Sequence, residues 1–279
     1  MAPHLEDNLE DILQKARTGK GFSLPGLSSQ TGLDEKKLKK FEDGIETPTS
    51  EQLRMLAQTL GLEKNRLEEI GNKRWTPLPF PKEAEKEVIT LKGYLGDYEV
   101  KGYLFVTSHR NEALLIDTAY NPDLVLKTLW ENDLSLKAIL LTHAHHDHIH
   151  GISKIRTKTG AQVYLHAREL PLYKAHETKP PDQMAEEGIT IGCGQKTLKV
   201  LETPGHTPGG VSYYSGKYCF VGDALFAGST GRSFSPDGFQ TLLSSLKEKV
   251  LTLPEETILC PGHGPTTTVG EERRHNPFF

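Results

Sequence analysis

Thr142-His-Ala-His-His-Asp-His-Ile-His-Gly151 follows directly on the apolar run Ala138-Ile-Leu-Leu141. Five histidines and one aspartate fall within eight residues, His143 to His150. The apolar run reads as a buried strand, so the imidazoles stand at a strand end. Neutral imidazole and carboxylate are ligands that zinc and other borderline divalent ions prefer. The stretch therefore reads as the first half of a metal site, which the rest of the chain must complete.

Three further segments share its character. His206 lies in Thr203-Pro-Gly-His-Thr-Pro-Gly-Gly210, Asp223 in Phe220-Val-Gly-Asp223, and His263 in Cys260-Pro-Gly-His-Gly-Pro265. Each follows an expected strand. Side chains from several strand ends can converge on one rim of a layered fold, and neighbouring glycines let the backbone turn tightly there. Within the first stretch, histidines at i and i+2 can grip one ion while the following Asp-His pair turns to a second.

Around these segments the pattern is mixed. Residues 88–91, 98–106, 113–116, 138–141, 161–165, 197–201, 211–214, 218–221 and 257–260 read as strands. Helices are expected over 121–130, 152–159, 168–174 and 239–251, the last with Phe239, Leu242, Leu243, Leu246 and Val250 on one face. This is an α/β pattern, with sheets covered by helices on their outer faces.

The first 72 residues differ. Five short helices are expected, each set off by a capping residue or a glycine such as Gly32, Gly44 or Gly61. A Thr-Gly turn between the second and third fits a helix-turn-helix module. Trp75-Thr-Pro-Leu-Pro-Phe-Pro81 then alternates prolines as a semi-rigid linker, with Trp75 and Phe80 as its anchors. The expected division is a helical domain over 1–72, a linker over 73–85 and a catalytic body over 86–279.

Two resemblances sharpen this. Gly21-Phe-Ser-Leu, Ser29-Gln-Thr-Gly-Leu, Lys40-Phe-Glu-Asp-Gly, Thr47-Pro-Thr-Ser-Glu-Gln-Leu and Leu56-Ala-Gln-Thr-Leu-Gly-Leu62 fall in the order seen in phage-repressor, Xre-type, helix-turn-helix domains. That resemblance implies DNA contact by Lys36, Lys37, Lys39 and Lys40. Yet residues 1–84 carry 13 Lys+Arg against 14 Asp+Glu, close to neutral, where a DNA-binding domain carries a basic footprint. A dimerisation or protein-contact module, and hence a homodimer, stays open beside DNA binding.

The four metal-type segments resemble the metallo-β-lactamase superfamily over about residues 86–279. That implies an αββα sandwich and two divalent ions: zinc first, with iron or manganese as alternatives. By position, His143, His145 and His206 would hold one ion, Asp147, His148 and His263 the other, and Asp223 both. Gly222-Asp-Ala-Leu-Phe-Ala-Gly-Ser-Thr-Gly-Arg232 and the ending Glu271-Glu-Arg-Arg-His-Asn-Pro-Phe-Phe279 are similar to glyoxalase II-like hydrolases. The implied reaction is attack of a bridging hydroxide on a thioester carbonyl, with Asp147 and Asp223 as the catalytic residues, Asp147 holding the nucleophile. Arg273 and Arg274 are implied near substrate, with Arg232 and Tyr164 or Tyr173 as weaker candidates. Lactamases of this fold carry a cysteine where this chain has Asp223. Persulfide dioxygenases, which bind one iron, show a Gly-Cys step where this chain has Pro208-Gly-Gly. Alternatives are a lactonase, such a dioxygenase, or a DNA-binding regulator whose hydrolase-like domain senses a metabolite.

Composition bounds the rest. Three widely spaced cysteines, Cys193, Cys219 and Cys260, argue against a disulfide framework. No apolar run approaches the roughly 20 residues of a membrane helix, and the first residues lack a signal-peptide pattern, so a cytoplasmic location is the expectation. His146 and His150 match no ligand position. His166 reads as a hydrogen-bonded strand-end histidine, and His109 and His176 as surface residues.

Overall fold

The computed structural model describes residues 4–107 and 111–279; His109 lies outside them. Five helices come first: α1 (Leu9–Gly19), α2 (Leu24–Thr31), α3 (Glu35–Glu42), α4 (Ser50–Leu60) and α5 (Lys64–Gly71). Local chemistry sets their ends. Ser23, Asp34, Thr49 and Glu63 accept backbone N–H bonds at the starts of α2 to α5. Gly32 and Gly61 close α2 and α4 in left-handed conformation. Leu9, Ile12, Leu13 and Ala16 recur at helical spacing and are all buried, so α1 is the spine of this module.

The body holds two six-stranded sheets. The first runs in order through β1 (Val88–Leu95), β2 (Tyr98–Thr107), β3 (Glu112–Ile116), β4 (Ser135–Leu140), β5 (Gln162–Leu165) and β6 (Gln183–Met184). Its β1–β3 part is antiparallel and its β3–β6 part parallel. The second contains β7 (Thr190–Cys193), β8 (Lys196–Glu202), β9 (Val211–Tyr214) and β10 (Tyr218–Gly222). A small hairpin, β11 (Leu225–Phe226) and β12 (Ser229–Thr230), leaves that sheet before β13 (Ile258–Pro261) and β14 (Thr267–Thr268) return to it. Its order is β14-β13-β10-β9-β8-β7.

Side-chain alternation explains the layering. Tyr103 and Phe105 of β2, Leu140 of β4, and Tyr218 and Phe220 of β10 fill one core between the sheets. The intervening Leu104, Ile139 and Leu141 face the opposite way, under α6 (Pro122–Glu131), α8 (Ile152–Thr159) and α9 (Leu170–Lys174). A four-residue helix, α7 (His146–Ile149), precedes α8. Cys219 and Val221 of β10 pack under α10 (Pro236–Ser245), the one-turn extension Leu246–Val250 and Val269. The product is helix, sheet, sheet, helix: the expected αββα sandwich preceded by a helical module. Short strands β6, β7 and β14, and α11 (Val269–His275), were absent from the sequence reading.

The module is not a free appendage. Its core continues into Phe239 of α10 and into Phe278. Gly19 sits so close to Phe239 that an added Cβ would lie 2.4 Å from the ring. Glu63 N donates to the Pro277 carbonyl, and Arg66 donates to the carbonyls of Asn276 and Phe279. Trp75 stacks on His275 at 4.9 Å, and Phe80 packs against the core between the sheets, so both expected anchors hold the linker. Among the described residues, no helix is long and apolar enough to cross a membrane.

Candidate metal centre

All four segments reach one rim. His143 and His145 follow β4, Asp147 and His148 sit in α7, His206 lies in the β8–β9 loop, Asp223 follows β10 and His263 follows β13. The strands they follow, β4, β10 and β13, lie near the middle of their sheets, where hydrogen bonds on both sides fix the backbone.

Two triads of donor atoms result. The ligand atoms of His143, His145 and His206 lie within 4.8 Å of one another, as do those of Asp147, His148 and His263. Asp223 stands between the triads. Its Oδ1 is 3.3 Å from His148 Nε2; its Oδ2 is 3.3 Å from His263 Nε2 and 3.7 Å from His206 Nε2. Gly262 makes this approach possible, since a Cβ there would lie 2.3 Å from Asp223 Oδ1. Any other residue would push the carboxylate aside.

The far side of three of the rings is committed elsewhere. Nδ1 of His206 donates to the Arg232 carbonyl at 2.7 Å, and Nδ1 of His263 to the Glu99 carbonyl at 2.7 Å. His148 Nδ1 lies 2.9 Å from Asp117 Oδ2. Such partners fix the tautomer and leave the Nε2 lone pair facing inward. Asp117 also accepts from Thr142 N and Oγ1, so its oxygens are occupied and it orients His148 rather than competing for an ion. Glu169, fully buried, accepts from Ala144 N and Gly209 N and so ties the His145 loop to the His206 loop.

Electrostatics points the same way. Burial holds His143 and His145 below the usual histidine range and brings His206 down to about 4. Burial also works against protonating His148 and His263, but carboxylates override it. Asp223 and Asp117 raise His148; Asp223 and Asp147 raise His263 to about 10. Burial would raise Asp223, yet His263 and His148 hold it well below the usual carboxylate range. The inward Nε2 atoms of His143 and His148 and Oδ1 of Asp223 are buried without a hydrogen-bond partner. Buried polar atoms left unpaired are costly. Imidazole lone pairs and carboxylates converging on common points are the donor set a divalent ion satisfies, so these residues fit metal.

The other expected site residues are less uniform. Arg232 reaches the site through its backbone carbonyl, while its guanidinium donates to Gln14 of α1. Tyr173 is a correction: it is fully buried under the first sheet, where no substrate can touch it. Arg273 and Arg274 pair with Glu255, and Arg273 also donates to the Leu251 carbonyl; the structure does not bring them to the cluster. On α3, Lys37 and Lys40 lie 3.4 and 3.9 Å from Glu46, and Lys39 pairs with Asp43; Lys36 is exposed. His146, His150 and His176 form a surface group beside Tyr120. His166 bonds Glu202 at 3.2 Å and accepts from Arg168 N, as a strand-end histidine would. The sequence reading missed Asp117 and Glu169. Asp117 ends an apolar strand just as Asp223 does, and the same rule would have found it; Glu169 carries no local signal.

Comparison with known proteins agrees with this geometry. Residues 96–263 match the sequence profile of the Metallo-beta-lactamase superfamily, leaving the five N-terminal helices outside the match. A Bacillus subtilis protein named a probable metallo-hydrolase, YqgX, is 36% identical over 201 residues, 66% of this chain and 94% of its own length. The hydroxyacylglutathione hydrolase GloC of Haemophilus influenzae is 32% identical over 184 residues, 60% of this chain and 87% of its own. Among solved structures, the B3 metallo-beta-lactamase BLEG-1 superposes with a TM-score of 0.62 at 35% identity, over 68% of this chain and 99% of that one.

Proposed function

The chain belongs to the metallo-beta-lactamase superfamily, and from that premise we propose that it is a dinuclear metal-dependent hydrolase acting on acyl thioesters. His143, His145 and His206 would hold one ion, and Asp147, His148 and His263 the other, with Asp223 shared. The observation that carries the two-ion reading is the position of Asp223: a buried carboxylate within 3.7 Å of one ring in the first triad and 3.3 Å of two in the second.

Bound ions would supply a water acidic enough to ionise near neutral pH and a Lewis acid for the scissile carbonyl. The protein supplies the rest. Asp147 is the more accessible acid, its side chain 20% exposed against 9% for Asp223, and it orients the attacking water at the mouth. Asp223, inside, stays anionic and fixes the spacing of the triads. Phe234, 74% exposed, holds its ring 6.4 Å from His145 and 6.3 Å from His206, an apolar lip for an acyl chain. Beside it opens a cavity of about 360 Å³ lined by Arg168, His206, Pro208 and Phe234. A thiolate is a good leaving group, so no strong general acid is required, and the cluster offers none at the mouth.

The thioester reading draws support from the likeness to GloC. The likeness to BLEG-1 adds a β-lactam to the compounds worth testing, since that protein too shares this fold at 35% identity. The regulator reading is weakened by α3, where three of the four lysines face acids of their own module. Metal-loaded protein assayed against thioesters, lactones, persulfides and a cephalosporin tests the assignment. Turnover of thioesters with two equivalents of metal supports it; oxygen uptake with a persulfide, or cleavage of the β-lactam alone, overturns it.

A further inference from the structure

α1 and the turn before it lie along the rim of the metal centre. Lys15 of α1 donates to the Thr230 carbonyl, and Asp7 accepts from the Ser229 hydroxyl; both partners belong to β12. The Lys15 ammonium stands 4.8 Å over the Phe226 ring, and that ring meets His263 edge-on at 5.8 Å. Gln14 holds the Arg232 guanidinium, whose own carbonyl fixes His206. Glu6 packs its backbone onto Gly264, directly after His263. Gly264 has a positive φ of 66°, and a Cβ there would come within 2.7 Å of Glu6 Cβ. The module thus touches the loops that carry His206 and His263.

Glu6 differs from its neighbours. Asp7 is used up by Lys15 and Ser229, whereas the half-buried Glu6 carboxylate has no hydrogen-bond or ion-pair partner among the described residues. Its seat against Gly264, the residue after His263, puts it beside the centre, and His263, Asp7, Asp223 and Lys15 are the charges that act on it. Lys15 is already committed to Asp7 and Thr230. A partly desolvated carboxylate without a partner favours an incoming cation and disfavours an incoming anion.

We propose that the N-terminal helical module forms one wall of the substrate site, and that Glu6 on that wall selects substrates carrying a protonated amine near the reacting group over those carrying a carboxylate there. The idea rests on the hydrolase reading above for the reaction, but Glu6's selectivity is a property of binding and is measured separately from turnover. Full-length, metal-loaded protein is titrated by NMR with two inert thioethers of matched length, 2-(propylthio)-N,N-dimethylethanamine and 3-(propylthio)propanoate. The same samples are assayed with the corresponding acetyl thioesters. The wild type is expected to bind the amine about tenfold more tightly, because a half-exposed, solvent-screened carboxylate attracts one ligand and repels the other only modestly. Glu6→Gln removes the difference and Glu6→Lys inverts it, with metal content and melting temperature unchanged. Equal binding of the two thioethers by the wild type, an unchanged ratio in Glu6→Gln, or loss of metal from that variant overturns the proposal. Retained selectivity of binding without thioester turnover leaves Glu6's role standing and removes the thioester-hydrolase reading.

Discussion

Lys15 and Asp7 form an ion pair of 2.5 Å in which both residues are over 90% buried, and each end is also bonded to β12 of the catalytic body. A charge pair buried within the helical module is therefore bonded at both ends to the other part of the chain. Removing one partner leaves the other buried and uncompensated, which costs about 3 to 5 kcal/mol. Lys15→Met is expected to destabilise by that order in urea unfolding. Lys15→Met combined with Asp7→Leu should recover most of the loss. A double variant as unstable as the sum of the singles would show that the pair is not the source.

Asp117 holds no place among the proposed ligands but fixes His148 through Nδ1. Outer partners of this kind contribute about 10- to 100-fold to metal affinity. Asp117→Ala should weaken binding of one ion by that factor in a chelator competition while the other ion is retained. Equal loss of both, or of neither, would show that Asp117 does not act through His148.

Metal-free protein holds His263 protonated up to about pH 10, and His148 is raised as well, because the site's carboxylates need a counter-charge. A divalent ion binds only the neutral rings, so uptake must expel protons. Calorimetry at pH 7.5 in buffers of different ionisation enthalpy is expected to show release of about two protons per protein. Apparent affinity should rise with pH through this range. A buffer-independent heat would contradict the arrangement.

Asp223→Ala removes the carboxylate between the triads. It is expected to lower thioester turnover by about 10²- to 10³-fold, on the scale seen when a group that stabilises the transition state is lost. One equivalent of metal should remain per protein, held by whichever triad survives. Turnover near the wild-type rate would exclude the shared-carboxylate arrangement.

Glu272 is fully buried in α11 and accepts from Gly228 N, Thr267 and Asn276, yet burial pushes it up to about 8. The folded state therefore keeps a proton that the unfolded chain releases near pH 4.5. The stability this contributes is complete below that value and is lost as pH rises through 8, with a slope of up to about 1.4 kcal/mol per pH unit. Glu272→Gln should flatten the fall of the urea midpoint between pH 5.5 and 8. Parallel wild-type and variant profiles would rule the group out.

Much of the centre was legible because its residues break a local rule. Imidazoles and acids placed after apolar strands, beside glycines, have no packing reason to be there. Asp117 breaks that rule in the same way but stands alone, one acid after an apolar strand with no histidine beside it. Tyr173 misled for the opposite reason: an aromatic in a polar helix looks available, and only the packing of α9 under the first sheet shows that it is core. Arg273 and Arg274 were placed by likeness of the chain ending, but side-chain direction on α11 depends on Glu255 and Leu251, contacts no short motif encodes. Nor could Phe239 and Phe278 be read as partners of α1. They looked like an ordinary helix face and an ordinary ending, and their joint burial is a tertiary fact.

The contacts of Glu63 and Arg66 with residues 276–279 bear on how the protein is made. On the ribosome, α1 to α5 emerge roughly 200 residues before the Pro277 carbonyl, the Phe279 carbonyl and the Phe278 ring that complete their packing. Burying one phenylalanine is worth about 1.5 to 3 kcal/mol. For most of translation the early helices must do without it, and His263 also arrives late. Final docking and completion of the metal centre therefore both wait for residues 263–279, so a nascent chain stalled before them would hold neither a finished module nor a loaded centre.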